Sequence, residues 1–205
     1  MDAEVRVPPS KSYTNRALIA SALAEGTSML LGPSSSDDSA VLIDAICSFG
    51  IAVRRKGECL EIEGSDGVPR SPLKEVFVGN AGTAMRFLST FAALAKGDTV
   101  LNGDERMRQR PIDDLLSALR AAGVKCSSEG GFPPVKIQGG LFRGGLISID
   151  STKSSQFVSS LLLSSPYAQR TVSLHVSGKL RSLPYVDMTL HVMRAFGAEV
   201  DVIDP

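Results

Sequence analysis

The sequence predicts an α/β fold of three copies of one unit, each running strand, helix, strand, helix and hairpin, with the third copy truncated. Three observations carry that expectation. A short strand-like run recurs as Gly26–Gly32, Gly97–Gly103 and Arg170–Gly178. Each run is followed by a polar loop and an amphipathic helix that stops at a glycine, in Phe49-Gly50, Ala122-Gly123 and Phe196-Gly197, at intervals of 73 and 74 residues. Aligned on those glycines, Ile43, Leu116 and Leu190 coincide, as do Ile46, Leu119 and Met193, which is the spacing of one buried helix face. Fixed-period repetition outweighs any single local pattern in deciding a fold. The units fall at about 5–64, 74–140 and 145–205, in one lobe spanning 1–205.

In the first unit Pro8-Pro9 holds the chain extended, and the hydroxyl-rich Ser10-Lys11-Ser12 opens a helix near Ser12 that continues through Ala17–Ala24. Asp37 and Asp38 read as N-caps of the second helix. Its terminal glycine fits a left-handed cap. A hairpin follows: Ile51–Arg55 goes out, Lys56-Gly57 turns, and Cys59–Glu63 returns.

The second unit opens on the buried-type strand Val76-Phe77-Val78, breaks at Gly79 and enters a helix near Gly82. Its hairpin pairs Val124–Cys126 with Val135–Ile137 through Glu129-Gly130-Gly131. The third unit starts with Leu146–Ile149, turns through Asp150–Ser154 and enters a helix. After Gly197 the stretch Ala198–Val202 begins a strand whose returning partner is absent.

Composition narrows the chemistry. Twenty-two basic and twenty-two acidic residues cancel, so no global field recruits nucleic acid or an anionic membrane, and any anion site is local. No apolar run approaches the roughly eighteen residues of a membrane span, and the N-terminus has no signal or transit pattern, which favours the cytoplasm. Three widely spaced cysteines, Cys47, Cys59 and Cys126, fit neither a disulfide framework nor a zinc knuckle and read as buried or idle thiols. His175, in a strand-like run, and His191, in a helical one, lack a nucleophile or carboxylate constellation and read as structural. Phosphate chemistry here falls to Lys, Arg, Ser, Asn and backbone N–H groups.

Each unit opens with a turn leading into a helix whose first N–H groups lack partners and whose dipole favours an anion. Lys11 and Arg16 add full charges to the first of them, and a guanidinium can hold phosphate through two parallel hydrogen bonds. The plain alternative is a capped helix with two solvated cations. Three such starts, brought together by pseudo-threefold symmetry, predict one hollow lined by Lys11, Arg16, Asn80, Arg110 and Gln156.

Five motifs, in order, cover nearly the whole chain: Ser10-Lys11-Ser12 through Asn15-Arg16-Ala17-Leu18, Gly79-Asn80-Ala81-Gly82-Thr83-Ala84-Met85-Arg86, Arg106–Ile112, Ser154-Ser155-Gln156-Phe157 and Ser182–Leu190. Together they resemble the 5-enolpyruvylshikimate-3-phosphate synthases. The resemblance implies an enolpyruvyl transferase-like inside-out α/β barrel, one lobe of three βαβαββ units, out of the two lobes of that family. It implies transfer of the enolpyruvyl group of phosphoenolpyruvate to shikimate 3-phosphate, in aromatic amino acid biosynthesis, with neither metal nor organic cofactor.

By that resemblance Lys11, Ser12, Arg16, Ser154, Ser155, Gln156, Ser182 and Tyr185 hold shikimate 3-phosphate. Lys11, Asn80, Gly82 and Arg110 face phosphoenolpyruvate, and Lys11 lies between the substrates as the catalytic cation. The residue types agree: hydroxyls, an amide and a guanidinium suit a phosphorylated cyclitol, and glycine admits close approach. Against these roles stand plainer ones: Tyr185 packs, Arg110 caps the helix opened by Pro111, Arg86 braces the interior, and Arg106 and Arg108 are solvated loop charges.

Phe87 departs from the proline many of that family carry, beside the phosphoenolpyruvate corner, and bears on affinity for that substrate and for glyphosate-like inhibitors. The carboxylates for proton transfer belong, by resemblance, to a second lobe, so the chain alone is expected to bind shikimate 3-phosphate weakly and not to turn over. Two other readings are a UDP-N-acetylglucosamine enolpyruvyl transferase, disfavoured because no cysteine lies in a glycine-rich loop, and a non-catalytic anion-binding repeat module.

Overall fold

Helix α3 (Gly82–Leu94) carries apolar or small residues on every face, and all of its residues except Thr83 are buried. A helix without a polar face must be surrounded. The computed structural model describes residues 7–150, 152, 154–178 and 182–203. In it α3 packs against α1 (Lys11–Leu23) and α5 (Ser155–Ser164), which also touch each other. Phe91 of α3 meets Phe49 edge to face, with ring centroids 5.1 Å apart. Among the described residues the helices α2 (Asp37–Ser48), α4 (Asp113–Ala121) and α6 (Leu183–Ala195) complete the helical content apart from two short 3-10 turns.

The strands lie outside this helical centre in three sheets. In the first, β1 (Thr27–Leu31), β3 (Cys59–Glu63) and β2 (Ala52–Lys56) are antiparallel in the order β1-β3-β2. In the second, β4 (Val76–Phe77), β5 (Asp98–Asn102), β7 (Phe132–Gln138) and β6 (Lys125–Glu129) run in the order β4-β5-β7-β6, with β4 parallel to β5. In the third, β8 (Gly145–Asp150) is parallel to β9 (Val172–Ser177). Burial alternates along β1, β8 and β9, so one face of each sheet covers the helices and the other meets water.

The first two sheets close onto the core in the same way. Gly64 follows β3 and donates to Gly26 O; Gly139 follows β7 and donates to Gly97 O. A Cβ on Gly64 would lie 2.0 Å from Ala24 O, and one on Gly139 would lie 2.1 Å from Ala95 O, at the C-terminal ends of α1 and α3. Only a glycine lets the returning strand pass so close to a helix end.

Four local expectations change. Ser36, not Asp37 or Asp38, is the N-cap of α2, its hydroxyl accepting from Ser39 N; both aspartates sit in the first turn, where their charge still favours the helix dipole. Helix α4 starts at Asp113 with no side-chain cap, so Arg110 does not cap it. Strand β7 extends back to Phe132. Residues 198–203 form no strand, because β2 and β6, their counterparts, are strands only through pairing with β3 and β7, and no described residue pairs with 198–203. The three cysteines are free thiols, Cys47 exposed and Cys59 and Cys126 half-buried. The start of the first unit, at residues 5 and 6, and Ser151 and Lys153 of the third unit's opening turn lie outside the described residues.

Candidate functional site: a cationic face at four helix starts

Ser10 caps α1 by accepting from Tyr13 N. Lys11, in the first turn, stands exposed with Nζ 2.8 Å from Asp38 Oδ2 of α2. Thr14 accepts from Ser34 N, and Asn15 accepts from the Ser39 hydroxyl, so the start of α1 is strapped to the start of α2. Because the Lys11–Asp38 pair is solvated on both sides, Asp38→Asn is expected to change stability by less than about 1 kcal/mol in urea unfolding. A larger loss would show that the pair holds α1 to α2.

Arg16 departs from the expectation of a guanidinium offered to a ligand: it is 2% exposed. Its Nε donates to Thr189 Oγ1 at 2.8 Å, Nη1 to Ser12 O, and Nη2 to both Ser159 Oγ and Tyr185 O. Four of its five N–H groups are thereby engaged by α1, α5 and α6. Its Cζ lies 5.5 Å from the centre of the Phe87 ring and 5.7 Å from that of Tyr185. Phe87, the departure seen in the sequence, is the ring against this cation. Burial pushes the guanidinium down to about 10, partly opposed by Tyr185 and Tyr13, so it stays charged at neutral pH with only neutral hydrogen-bond partners.

At the start of α3 two more guanidiniums converge on one glycine. A Cβ on Gly82 would sit 2.6 Å from Arg110 Nη1 and 3.3 Å from Arg86 Nη1. Arg86 donates to Gly82 O, to Pro111 O and to Met107 Sδ, while its buried Nε has no partner. Burial first, and the charge of Arg110 second, lower the Arg86 guanidinium to about 10. No side chain caps α3, whose N-cap position is Ala81. Two like charges beside an uncapped, buried helix start form a place that favours an anion. Asn80 stands exposed two residues before Gly82.

The start of α5 closes onto the same end of the molecule. Ser154 is its N-cap and accepts from Gln156 N, and Gln156 Nε2 donates 3.1 Å to Thr83 Oγ1 at the start of α3. Ser155 and Gln156 are half-buried beside it. At the start of α6, Ser182 O accepts from Tyr185 N, and the Tyr185 ring is 44% exposed over Arg16. Deeper between α3 and α5, Ser160 bonds Thr90 at 2.6 Å and donates to Arg86 O.

The starts of α1, α3, α5 and α6 therefore share one face. Lys11 and Asn80 are exposed on it, Arg110 and Gln156 are half-buried, and Arg16 lies beneath it. Two surface depressions, one on the outer face of β5, β6 and β7 and one beside Phe49–Arg70, contain none of these five residues. Sequence reading passed over Arg86 as a member of the Gly82 cluster, although its i+4 spacing from Gly82 on α3 puts both on one helix face. Nothing local marks Ser159, Thr189 or Thr83.

Comparison with known proteins places the whole chain. A family model described as EPSP synthase (3-phosphoshikimate 1-carboxyvinyltransferase) matches residues 1–204. A curated 3-phosphoshikimate 1-carboxyvinyltransferase of Methanospirillum hungatei is 43% identical over 195 residues, covering 94% of this chain and 45% of that one. One of Serratia proteamaculans is 41% identical over 206 residues, covering 98% and 48%. The chain thus spans about half the length of the curated relatives it matches. The solved EPSP synthase from Acinetobacter baumannii superposes with a TM-score of 0.87 at 29% identity, over 98% of this chain and 45% of that one. The enolpyruvyl transferase NikO from Streptomyces tendae shares the fold, at a TM-score of 0.69 and 17% identity over 95% of this chain and 44% of that one.

Proposed function

The chain belongs to the EPSP synthase (3-phosphoshikimate 1-carboxyvinyltransferase) family, and on that premise we propose that its cationic face is one half of an enolpyruvyl transfer site. The observation that supports this most is the pairing of Arg86 and Arg110 on Gly82 at the uncapped start of α3, with the start of α5 tied alongside by Gln156 and Thr83. Phosphoenolpyruvate would sit against Gly82, Asn80 and Arg110, with its charge met by the helix dipole and the two guanidiniums. Shikimate 3-phosphate would be held by Ser12, Ser154, Ser155, Gln156, Ser182 and Tyr185. Arg16 would act from below by fixing Tyr185 and the start of α1, offering its one remaining N–H.

In the reaction an acid delivers a proton to the methylene carbon of phosphoenolpyruvate while a hydroxyl of shikimate 3-phosphate gives up its own proton to a base and bonds to the adjacent carbon. The tetrahedral adduct then loses phosphate and a methyl proton, which restores the double bond. Lys11 would turn from Asp38 toward the two bound anions and offset their charge as phosphate departs. We assign the carboxylates for the proton transfers to the part of the relatives' length that this chain does not match, so the isolated chain binds without turnover. Among the described residues no helix is long and apolar enough to cross a membrane, and we place the protein in the cytoplasm.

Calorimetric titration with shikimate 3-phosphate, UDP-N-acetylglucosamine and inorganic phosphate tests this reading. Binding of shikimate 3-phosphate in preference to both others is expected; equal affinity for inorganic phosphate would reduce the face to an unspecific anion site. Gly82→Ala, whose methyl would displace the flexible Arg110 guanidinium, is expected to weaken phosphoenolpyruvate binding about tenfold, the loss of roughly one charge-assisted hydrogen bond, at little cost in stability. Unchanged affinity would remove phosphoenolpyruvate from the Gly82 corner.

A further inference from the structure

Arg110 stands at the Gly82 corner, and what keeps it there lies outside the corner itself. It leaves the chain near the end of the loop from β5 to α4, just after a 3-10 turn at Met107–Gln109. That loop is zipped to the turn after β4. Val78 N donates to Asn102 O and Asp104 N to Gly79 O, so the parallel pairing of β4 and β5 runs on past both strand ends. A Cβ on Gly103 would lie 2.4 Å from Gly79 O and 2.6 Å from Met107 Cβ, an approach that only glycine admits. Met107 is fully buried over Gly103, and its sulfur accepts from Arg86 Nη1. Asp104 Oδ1 accepts from Met107 N, and Met107 O from Arg110 N.

One buried side chain closes this loop. Asn102, the last residue of β5, is 5% exposed. Its Oδ1 accepts from Gly103 N at 2.9 Å, where the loop begins, and from Arg108 Nε at 3.1 Å, two residues before Arg110. Its Nδ2 donates to Glu75 Oε1 at 2.9 Å. Chemistry fixes that orientation, because an amide turned over would set its N–H groups against two donors and its oxygen against a carboxylate. We propose that Asn102, oriented by Glu75, is a positioning residue that holds Arg110 at the Gly82 corner for the incoming anion, by tying Gly103 to Arg108. A long side chain keeps one place only where the segment that carries it is itself locked, and a shift of about 1 Å in a group that meets a substrate loses much of its effect. Asn102, Glu75 and Arg108 touch no substrate in this scheme. It deepens the reading above and rests on it for the identity of the anion, phosphoenolpyruvate.

Two measurements on the 205-residue chain test it. Asn102→Leu keeps about the same volume and removes both the acceptor and the donor. In its ligand-free crystal structure the Arg110 guanidinium is expected to have left Gly82. In calorimetric titration with shikimate 3-phosphate at saturation, its affinity for phosphoenolpyruvate is expected to fall about tenfold, with that for shikimate 3-phosphate unchanged. A residue that merely stabilised the fold would not separate the two ligands. Asn102→Asp combined with Glu75→Gln exchanges the two groups, leaving an acceptor toward Gly103 and Arg108 and a donor against an acceptor between the two side chains. That pair is expected to return both readouts to those of the unmodified chain, whereas Asn102→Asp alone sets two carboxylates face to face and is not. Should Asn102→Leu not fold, Arg108→Met, an exposed change that removes the Nε donor at similar length, is read in the same two ways. Arg110 still against Gly82 in the variant, or phosphoenolpyruvate affinity unchanged there while Arg110→Leu weakens it, overturns the proposal. If Arg110→Leu binds phosphoenolpyruvate as tightly as the unmodified chain, or neither binds it, the phosphoenolpyruvate assignment falls instead, and the position of Arg110 in the crystal alone decides whether Asn102 holds it.

Discussion

Gly139→Ala is expected to lower the unfolding free energy by about 3 kcal/mol, the upper end of what overpacking costs, with Gly64→Ala close behind. The added methyl would lie 2.1 Å from Ala95 O at Gly139 and 2.0 Å from Ala24 O at Gly64, where real Cβ atoms essentially never approach within 3.0 Å. The obstacle is backbone, at the end of a buried helix, and cannot swing aside as a side chain would. Relief requires moving the returning strand away from α3 or α1, which opens the contact between sheet and core. Gly57→Ala is the control: its φ is +61°, but nothing lies within 4 Å, so it carries only the left-handed penalty of about 1 kcal/mol. Urea unfolding midpoints compare the three. A loss at Gly139 and Gly64 no larger than that at Gly57 would remove the close approach as the cause.

Thr189→Val is expected to cost about 3 kcal/mol although it keeps the shape of the side chain. The hydroxyl accepts from Arg16 Nε at 2.8 Å and lies within hydrogen-bond reach of Ser159 Oγ and Tyr185 O. Without it an N–H of a charged guanidinium remains buried and unpaired, between three helices at a site 0% exposed. Thr189→Ser keeps the acceptor and should fall within about 1 kcal/mol of the unmodified chain. A small loss for valine would mean that Arg16 is not held by this hydroxyl, and the link it makes between α1 and α6 would have to be redrawn.

The link between Arg16 and Thr189 spans 173 positions in the chain, and that separation marks the limit of sequence reading here. Glycine-terminated helices, alternating strands and the two hairpins were legible because each is decided within a few residues, by hydrophobic period and by the backbone freedom of glycine. The start of α3 at Gly82 was legible for the same reason. Ser36 was missed as a cap because the two aspartates after it are also good capping residues, and only the turn of the chain into α2 selects among them. The strand expected over Ala198–Val202 failed to form because alternation proposes a strand, whereas a neighbour with free N–H and C=O groups makes one.

For the functional face, the residue types and their order along the chain were decided by the amino-acid sequence alone, as was the threefold recurrence that gathers helix starts at one end. What only the tertiary structure decided is how each cation is used. Arg16 and Arg110 both read as phosphate ligands in a string of letters, yet one is enclosed by Thr189, Ser159 and two carbonyls while the other stands open beside Arg86 and Gly82. Whether a guanidinium spends its hydrogen bonds inward or keeps them for a ligand depends on which distant acceptors the fold delivers to it, and no local pattern encodes that.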